Sequence, residues 1–210
     1  MKSVFTLFTA ALLAGCSVVG QSHVEIAPYT QLQVDESLGI DVRHYDAMVL
    51  VSADMAAHGQ NGAFRKLFRY ISGANEGARD IAMTAPVFME ASNGHQGVSI
   101  AMTAPVFMTD TPEQARMSFV MPAHFTLETT PKPTDPSVTL SEVSDYRVAA
   151  IRFSGRLSDR NVAKQTAVLQ KWLLEQGYQP ASAPLKAGYH GPMTLPMFRR
   201  NEVLIALQAP

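Results

Sequence analysis

The nine residues 81–89, IAMTAPVFM, return letter for letter at 100–108. Each copy is apolar apart from one threonine and is strand-sized, and each carries a proline near its centre. In an extended chain, side chains alternate between faces. Ile81, Met83, Ala85, Val87 and Met89 then share one apolar face, and Ile100, Met102, Ala104, Val106 and Met108 another. The stretch between the copies contains Asn93-Gly94, a strong turn signal. An antiparallel hairpin is therefore expected, with Met89 opposite Ile100, Val87 opposite Met102, Ala85 opposite Ala104 and Met83 opposite Val106. Pro86 and Pro105 cannot donate to a ladder, so each copy must break pairing, bulge or lie at an edge there. Two copies are too few for a solenoid. Methionine thioethers adapt to flat apolar ligands, so the repeat can wall a pocket. Plain core packing is the other reading, and the residues alone leave both open.

Strand-like segments precede the repeat: LQVDE, GIDVRHY and AMVLVSA, separated by Ser37, Gly39 and Asp46. A helix is expected over 59–71. Phe64, Leu67, Phe68 and Ile71 fall at helical spacing on its inward face, Arg65, Lys66 and Arg69 lie off that face, and Gly73 ends it. Strands follow the repeat at 117–121, 138–143 and 147–153. The connection between the first two holds Pro131, Pro133 and Pro136. A second helix should start at Ser158 or Asp159 and run to Gln176, with Val162, Thr166, Leu169, Trp172 and Leu173 inward and Gly177 as its stop. NEVLIAL closes the chain as a last strand. This order suggests two β-β-α-β halves in one α+β domain with a mainly antiparallel sheet.

The first fifteen residues look like a leader. Lys2 precedes an apolar run over 4–14, too short to span a bilayer and suited to a secretory signal. The run ends in Leu13-Ala14-Gly15-Cys16, which resembles a bacterial lipobox, with Cys16 as the lipidated first residue of the mature chain. That assigns 1–15 to a signal peptide, 16–28 to a lipidated terminus and tether, and 29–210 to the folded domain, on the periplasmic side of a bacterial membrane. Cys16 is the sole cysteine, so no internal disulfide is available. The whole chain carries 17 basic and 18 acidic side chains, so loss of Lys2 with the leader leaves a net charge of −2. No basic stripe appears, which speaks against nucleic acid as a partner.

IAMTAPV, MSFVMPAHFTLETTPKPTDPSVTL, RVAAIRFSGRLSD and FRRNEVLIAL, in this order, resemble the SOUL haem-binding protein family over 29–207. The doubled MTAPV looks like its bacterial branch. The resemblance implies a pseudo-two-fold α/β barrel, with two main helices against a curved antiparallel sheet of about eight strands. It also implies non-covalent binding of haem or another tetrapyrrole, and a monomer is expected.

Six histidines are present. In the family, a histidine in the Arg-His-Tyr stretch resembles the axial iron ligand of some members, which points to His44. Neutral imidazole suits haem iron. A partly exposed strand histidine is the plainer reading of the same residue. An apolar wall would come from Phe64, Phe68, Met83, Val87, Met102 and Val106. Arg65, Lys66, Arg69, Arg199 or Arg200 could pair with the propionates or simply be solvated. There is no Cys-x-x-Cys-His for covalent haem attachment, and no local motif of a hydrolase, zinc protease or phosphate-binding loop. The expected function is tetrapyrrole binding for transfer, buffering or sensing. The alternatives are an effector-binding-like module for other amphiphilic small molecules and a tetrapyrrole-modifying enzyme.

Overall fold

A computed structural model describes residues 25–56, 59–77, 81, 83–85, 87–89, 115–191 and 193–208. The leader, the tether up to residue 24 and the second copy of the repeat lie outside these. So do Cys16, Met102 and Val106.

Nine strands and two α-helices are described: β1 (Glu25–Ile26), β2 (Thr30–Asp35), β3 (Ile40–Asp54), α1 (Gly59–Ile71), β4 (Thr84–Ala85), β5 (Val87–Met89), β6 (Arg116–Val120), β7 (Val138–Phe153), α2 (Asp159–Gln176), β8 (Leu185–Gly188) and β9 (Asn201–Ala206). Seven strands form an antiparallel sheet in the order β2-β3-β6-β5-β8-β9-β7, and β3 also pairs with β7. That last pairing closes β3, β6, β5, β8, β9 and β7 into a ring, with β2 outside it on the first half of β3. The expected barrel with two helices is therefore present. Its halves are organised around two long central strands, β3 and β7, each followed by a helix that packs back onto it.

Both long strands read as two short ones in the sequence. Asp46 marks the break in β3, but the strand runs through it. Pairing passes from Tyr45↔Tyr146 to Ala47↔Ser144, and Asp145 between them has φ 51°. This is a left-handed residue at a local irregularity, and Asp tolerates that conformation better than most side chains.

The two faces of the sheet bury different sets. Met48, Leu50, Tyr45, Tyr146, Val148, Ala150, Phe88, Ala187 and Leu204 pack inside the ring. On the outer face, α1 covers Val49, Val51, Ala53, Met117 and Phe119 through Ala63, Leu67, Tyr70 and Ile71. α2 covers Ile40, Val42, Ala149, Ile151, Val203 and Ile205 through Val162, Leu169, Trp172 and Leu173. Ser158 caps α2, its Oγ accepting from Asn161 N, and Gly177 ends the helix at φ 76°. Trp172 Nε1 donates to Asp35 Oδ2 at 3.0 Å, tying α2 to the end of β2.

Pro86 divides the first repeat copy. Before it, Thr84–Ala85 pairs in parallel with β1; after it, Val87–Met89 joins the main sheet. One residue leaves the face expected to be common to Ile81, Met83, Ala85, Val87 and Met89. Ala85 packs inside the ring, whereas Met83, Val87 and Met89 belong to the cluster under α1. Both edges of β5 are taken, by β6 (Val87↔Phe119, Met89↔Met117) and by β8 (Val87↔Gly188, Met89↔Lys186). The hairpin register expected between the copies is therefore unavailable to these residues. Among the described residues no helix is long and apolar enough to cross a membrane.

Candidate ligand-binding site

The expected inward face of α1 is rotated. Ala63, Leu67, Tyr70 and Ile71 are buried, while Phe64 and Phe68 stand 37% and 49% exposed. Residues 63, 67, 70 and 71 follow the helical period as well as 64, 67, 68 and 71, so spacing could not separate them. The small Ala63 lets the helix sit close to β3, and the two phenyl rings move to the rim. There they stack, with centroids 6.1 Å apart and planes 15° apart. Phe64 also meets Phe119 edge-on at 5.5 Å. Phe119 lies opposite Val87 across the β5–β6 ladder, and Met83 and Val87 are half-buried against the same cluster. The fold thus brings Phe64, Phe68, Met83 and Val87 into one apolar surface, with Phe119 as a linking residue that sequence reasoning missed. Met89 is buried below it and accepts from Gln60 Nε2 at 3.2 Å, which is core packing.

Cations border this surface. Arg65 is exposed and makes no ion pair among the described residues. Lys66 Nζ donates to Ser137 Oγ at 2.8 Å. Asp135 is held below the ordinary aspartate value mainly by the Ser137 hydroxyl, with smaller contributions from Lys66 and Arg69. Lys66 thus faces the turn before β7, while Arg65 and Arg69 are both exposed.

His44 and Arg199 are not part of this group. His44 shares the outer face with Val42, as alternation predicts, and its two ring nitrogens approach Asp145 Oδ1 (2.7 Å) and Asp46 Oδ1 (3.2 Å). Both carboxylates come from the irregularity between β3 and β7. Iron ligation by His44 would first have to break one of these contacts. Arg199 follows a 3-10 turn at Pro196–Phe198 and its Nε donates to Thr194 O at 2.8 Å.

A second polar constellation, inside the ring, was not foreseen. Arg43 is fully buried. Its Nε and Nη2 donate to Asp41 at 2.8 and 2.7 Å, and Nη1 and Nη2 donate to Glu202 at 2.9 and 3.2 Å. Glu202, also fully buried, accepts from Tyr189 Oη at 2.6 Å and from Arg200 at 2.6 and 2.9 Å. The Tyr29 ring lies 4.5 Å from the Arg43 guanidinium carbon, and the Tyr189 ring 4.1 Å from that of Arg200. Burial pushes the Tyr45 hydroxyl up to about 12. Burial alone would also raise the Glu202 carboxyl, but Arg43 and then Arg200 outweigh it and hold the group below the ordinary glutamate value. Two arginines thus neutralise two carboxylates, as burial of charge requires. One sequence signal was available: Arg43 alternates with Asp41 and Tyr45 on the face opposite Val42. Its partner 159 positions away was not readable. Among the described residues no cluster of three or more His, Cys, Asp or Glu could hold a metal ion.

Comparison with known proteins gives three results. The family model described as SOUL heme-binding protein matches residues 24–98 and 88–206. No curated protein matches the chain. Among solved structures, the EcmrR C-terminal domain aligns with TM-score 0.50 at 9% identity, over 87% of this chain and 99% of that one. An uncharacterized conserved protein from Listeria innocua aligns at 0.57 and 10% identity, over 81% and 93%. A hydrolase encoded by lin2189 of Listeria innocua aligns at 0.53 and 12%, over 81% and 92%. At these identities the likeness is one of fold.

Proposed function

The chain belongs to the SOUL heme-binding protein family, and we propose on that footing that it binds haem or a related flat tetrapyrrole without covalent attachment, on the outer face of α1. The observation that carries this is the stacked, half-exposed Phe64–Phe68 pair, seated on Phe119 and bordered by Arg65. Planar aromatic guests are held by such rings largely through removal of apolar surface from water. Met83 and Val87 extend the surface, and Arg65 is placed to meet a propionate. His44 is already held by two carboxylates, so apolar and cationic contacts are the principal source of affinity in this reading, and axial ligation is secondary. The role is binding rather than catalysis.

Titration of the purified domain with haemin should give a saturable Soret shift. Covering about 60 Å² of phenyl surface contributes about 1.5 kcal/mol, so Phe64→Ala or Phe68→Ala should each weaken binding about tenfold. His44→Ala should leave the shift in place. Equal affinity in all three variants would sink the α1 site, and a spectrum lost only with His44→Ala would move the site to the β3–β7 irregularity.

We further propose that Cys16 is lipidated and holds the domain at the periplasmic side of a membrane. Its support is the Leu13-Ala14-Gly15-Cys16 run after a charged, apolar leader. Labelled palmitate should enter the wild-type protein and not Cys16→Ser. Should both take up label equally, the anchor is elsewhere or absent.

The likeness in fold to the EcmrR C-terminal domain favours a second reading, an effector-binding-like module for other amphiphilic molecules. A thermal-shift screen in which such molecules stabilise the domain and haemin does not would select it.

A further inference from the structure

The connection between β8 and β9 exposes more apolar surface than its neighbours require. Met193 is 79% exposed, Met197 68%, Phe198 45% and Leu195 43%. Four large side chains within six positions at such exposure are unusual for a loop that faces only water. The loop is held in shape by its polar atoms. Gly155 N donates to Pro196 O at 2.8 Å, Phe198 N to Leu195 O at 2.9 Å and Arg199 Nε to Thr194 O at 2.8 Å. Backbone and arginine are thus satisfied inward while the apolar side chains point out.

The charge carried by the connection itself has one sign, and the carboxylate of Asp159 at the start of α2 is taken up by Lys186. From Gln176 to Asn201 the sequence contains no aspartate or glutamate, while it contains Lys186, Arg199 and Arg200. Exposed Arg156 stands on the adjoining connection, next to Gly155, which is bonded to the loop. Arg200 is neutralised by Glu202 and Arg199 is half-buried and bonded to Thr194, so Arg156 is the exposed cation on this side that an outside surface would meet.

Position in the fold adds a second line. Gly188, the last residue of β8, pairs with Val87, and two residues before Val87 Ala85 pairs with Ile26. The chain therefore enters the fold at the same end of the sheet from which the β8–β9 connection projects. Ile26 is itself 45% exposed there. The segment 17–24 can span at most about 28 Å when extended.

We propose that the β8–β9 connection is a membrane-docking loop, whose Met193, Leu195, Met197 and Phe198 enter the interface of an anionic phospholipid bilayer while Arg156 meets the headgroups. Unbranched thioethers and a phenyl ring suit the disordered boundary between headgroups and acyl chains, and a nearby arginine adds attraction to anionic lipid. The loop needs no lipid on Cys16 to act. With a lipid there, it would set which face of the domain lies against the membrane.

The test uses the chain from Ser17 onward, which contains every described residue and lacks Cys16, so that anchor and loop are read separately. It is mixed with sedimenting vesicles of phosphatidylethanolamine and phosphatidylglycerol, and in parallel with phosphatidylcholine alone. The expected result is co-sedimentation with the anionic vesicles, weakened by raised salt. The Met193→Ser/Met197→Ser double variant should bind at least about tenfold more weakly at an unchanged thermal midpoint. Arg156→Gln should lower binding to the anionic vesicles and leave binding to phosphatidylcholine as it was. Absence of the wild-type chain from the anionic pellet would overturn the proposal, as would a double variant that binds as well. It would equally fall if the wild-type chain is a dimer in solution that the double variant splits, since the apolar tip would then belong to a second copy.

Discussion

Replacing Arg43 by methionine tests whether the polar cluster inside the ring holds the barrel together. Methionine keeps most of the buried stem and removes the guanidinium. Glu202 then loses two contacts of 2.9 and 3.2 Å, and Asp41 loses two of 2.8 and 2.7 Å. Removing one partner of a buried pair costs about 3–5 kcal/mol, chiefly because the other charge stays buried. Glu202 keeps Arg200 and the Tyr189 hydroxyl, so the lower end applies, about 3 kcal/mol. For a domain of this size that is a fall of about 6–12 °C in the unfolding midpoint. Differential scanning calorimetry at neutral pH reads it directly. The companion is Asp41→Leu/Arg43→Met, in which the guanidinium leaves together with the carboxylate it holds by two contacts, while Glu202 keeps Arg200. It should regain much of the loss, because apolar replacement of a buried pair is often neutral. A midpoint for Arg43→Met within 2 °C of wild type would refute the reasoning. So would a double variant as unstable as the two single losses added together.

Acid should act through the same cluster. The Glu202 carboxyl lies below its ordinary value of 4.5 in the folded chain, so its contribution is full above about pH 4.5 and is lost as pH falls through the folded value. The midpoint should therefore be level from pH 7 to 5 and decline below 4.5, less steeply in Arg43→Met; a parallel decline in both would exclude Glu202 as the source. Removing 90–108 leaves both partners of β5 in place, so the shortened chain should unfold cooperatively within about 4 °C of the parent. Loss of the transition in that variant would make the second copy an integral part of the sheet.

Much of the fold could be read from local signals. The bounds of α1 and α2, the Ser158 cap and the Gly177 stop each follow from a few neighbouring residues. The separate pairing of Thr84–Ala85 and Val87–Met89 fits the proline between them in the sequence, whereas the departure of Ala85 from the face of Met83 and Val87 had no local signal. Asp46 looked like a strand boundary because aspartate is scarce in strands, yet β3 and β7 tolerate a paired irregularity there. The site was less legible. Helical spacing gives the direction of an apolar stripe but not its centre. That spacing predicts Phe64 and Phe68 inward, whereas Ala63 and Tyr70 hold that place. His44 was placed on the correct face, but its partner Asp145 lies 101 positions away and had no local signature. Glu202 is the second residue of a strand that is buried along its whole length, and a lone charge in such a run is itself a sign of a buried partner.

The place filled by Val87–Met89 is set by 117–119 on one side and 186–188 on the other. Those flanks meet side chains, and two stretches of this chain present the same ones. Tether lengths discriminate weakly. With Asn75 bridged to Pro133 and Glu76 bonded to Lys132, the first copy is reached through 77–80 and left through 90–115, the second through 77–99 and 109–115. Ring-closure entropy then favours the first by only about 0.4 kcal/mol, roughly twofold. The repeat therefore offers two near-equal sequences for one berth, and a substitution that spoils the first copy leaves an identical spare in the chain.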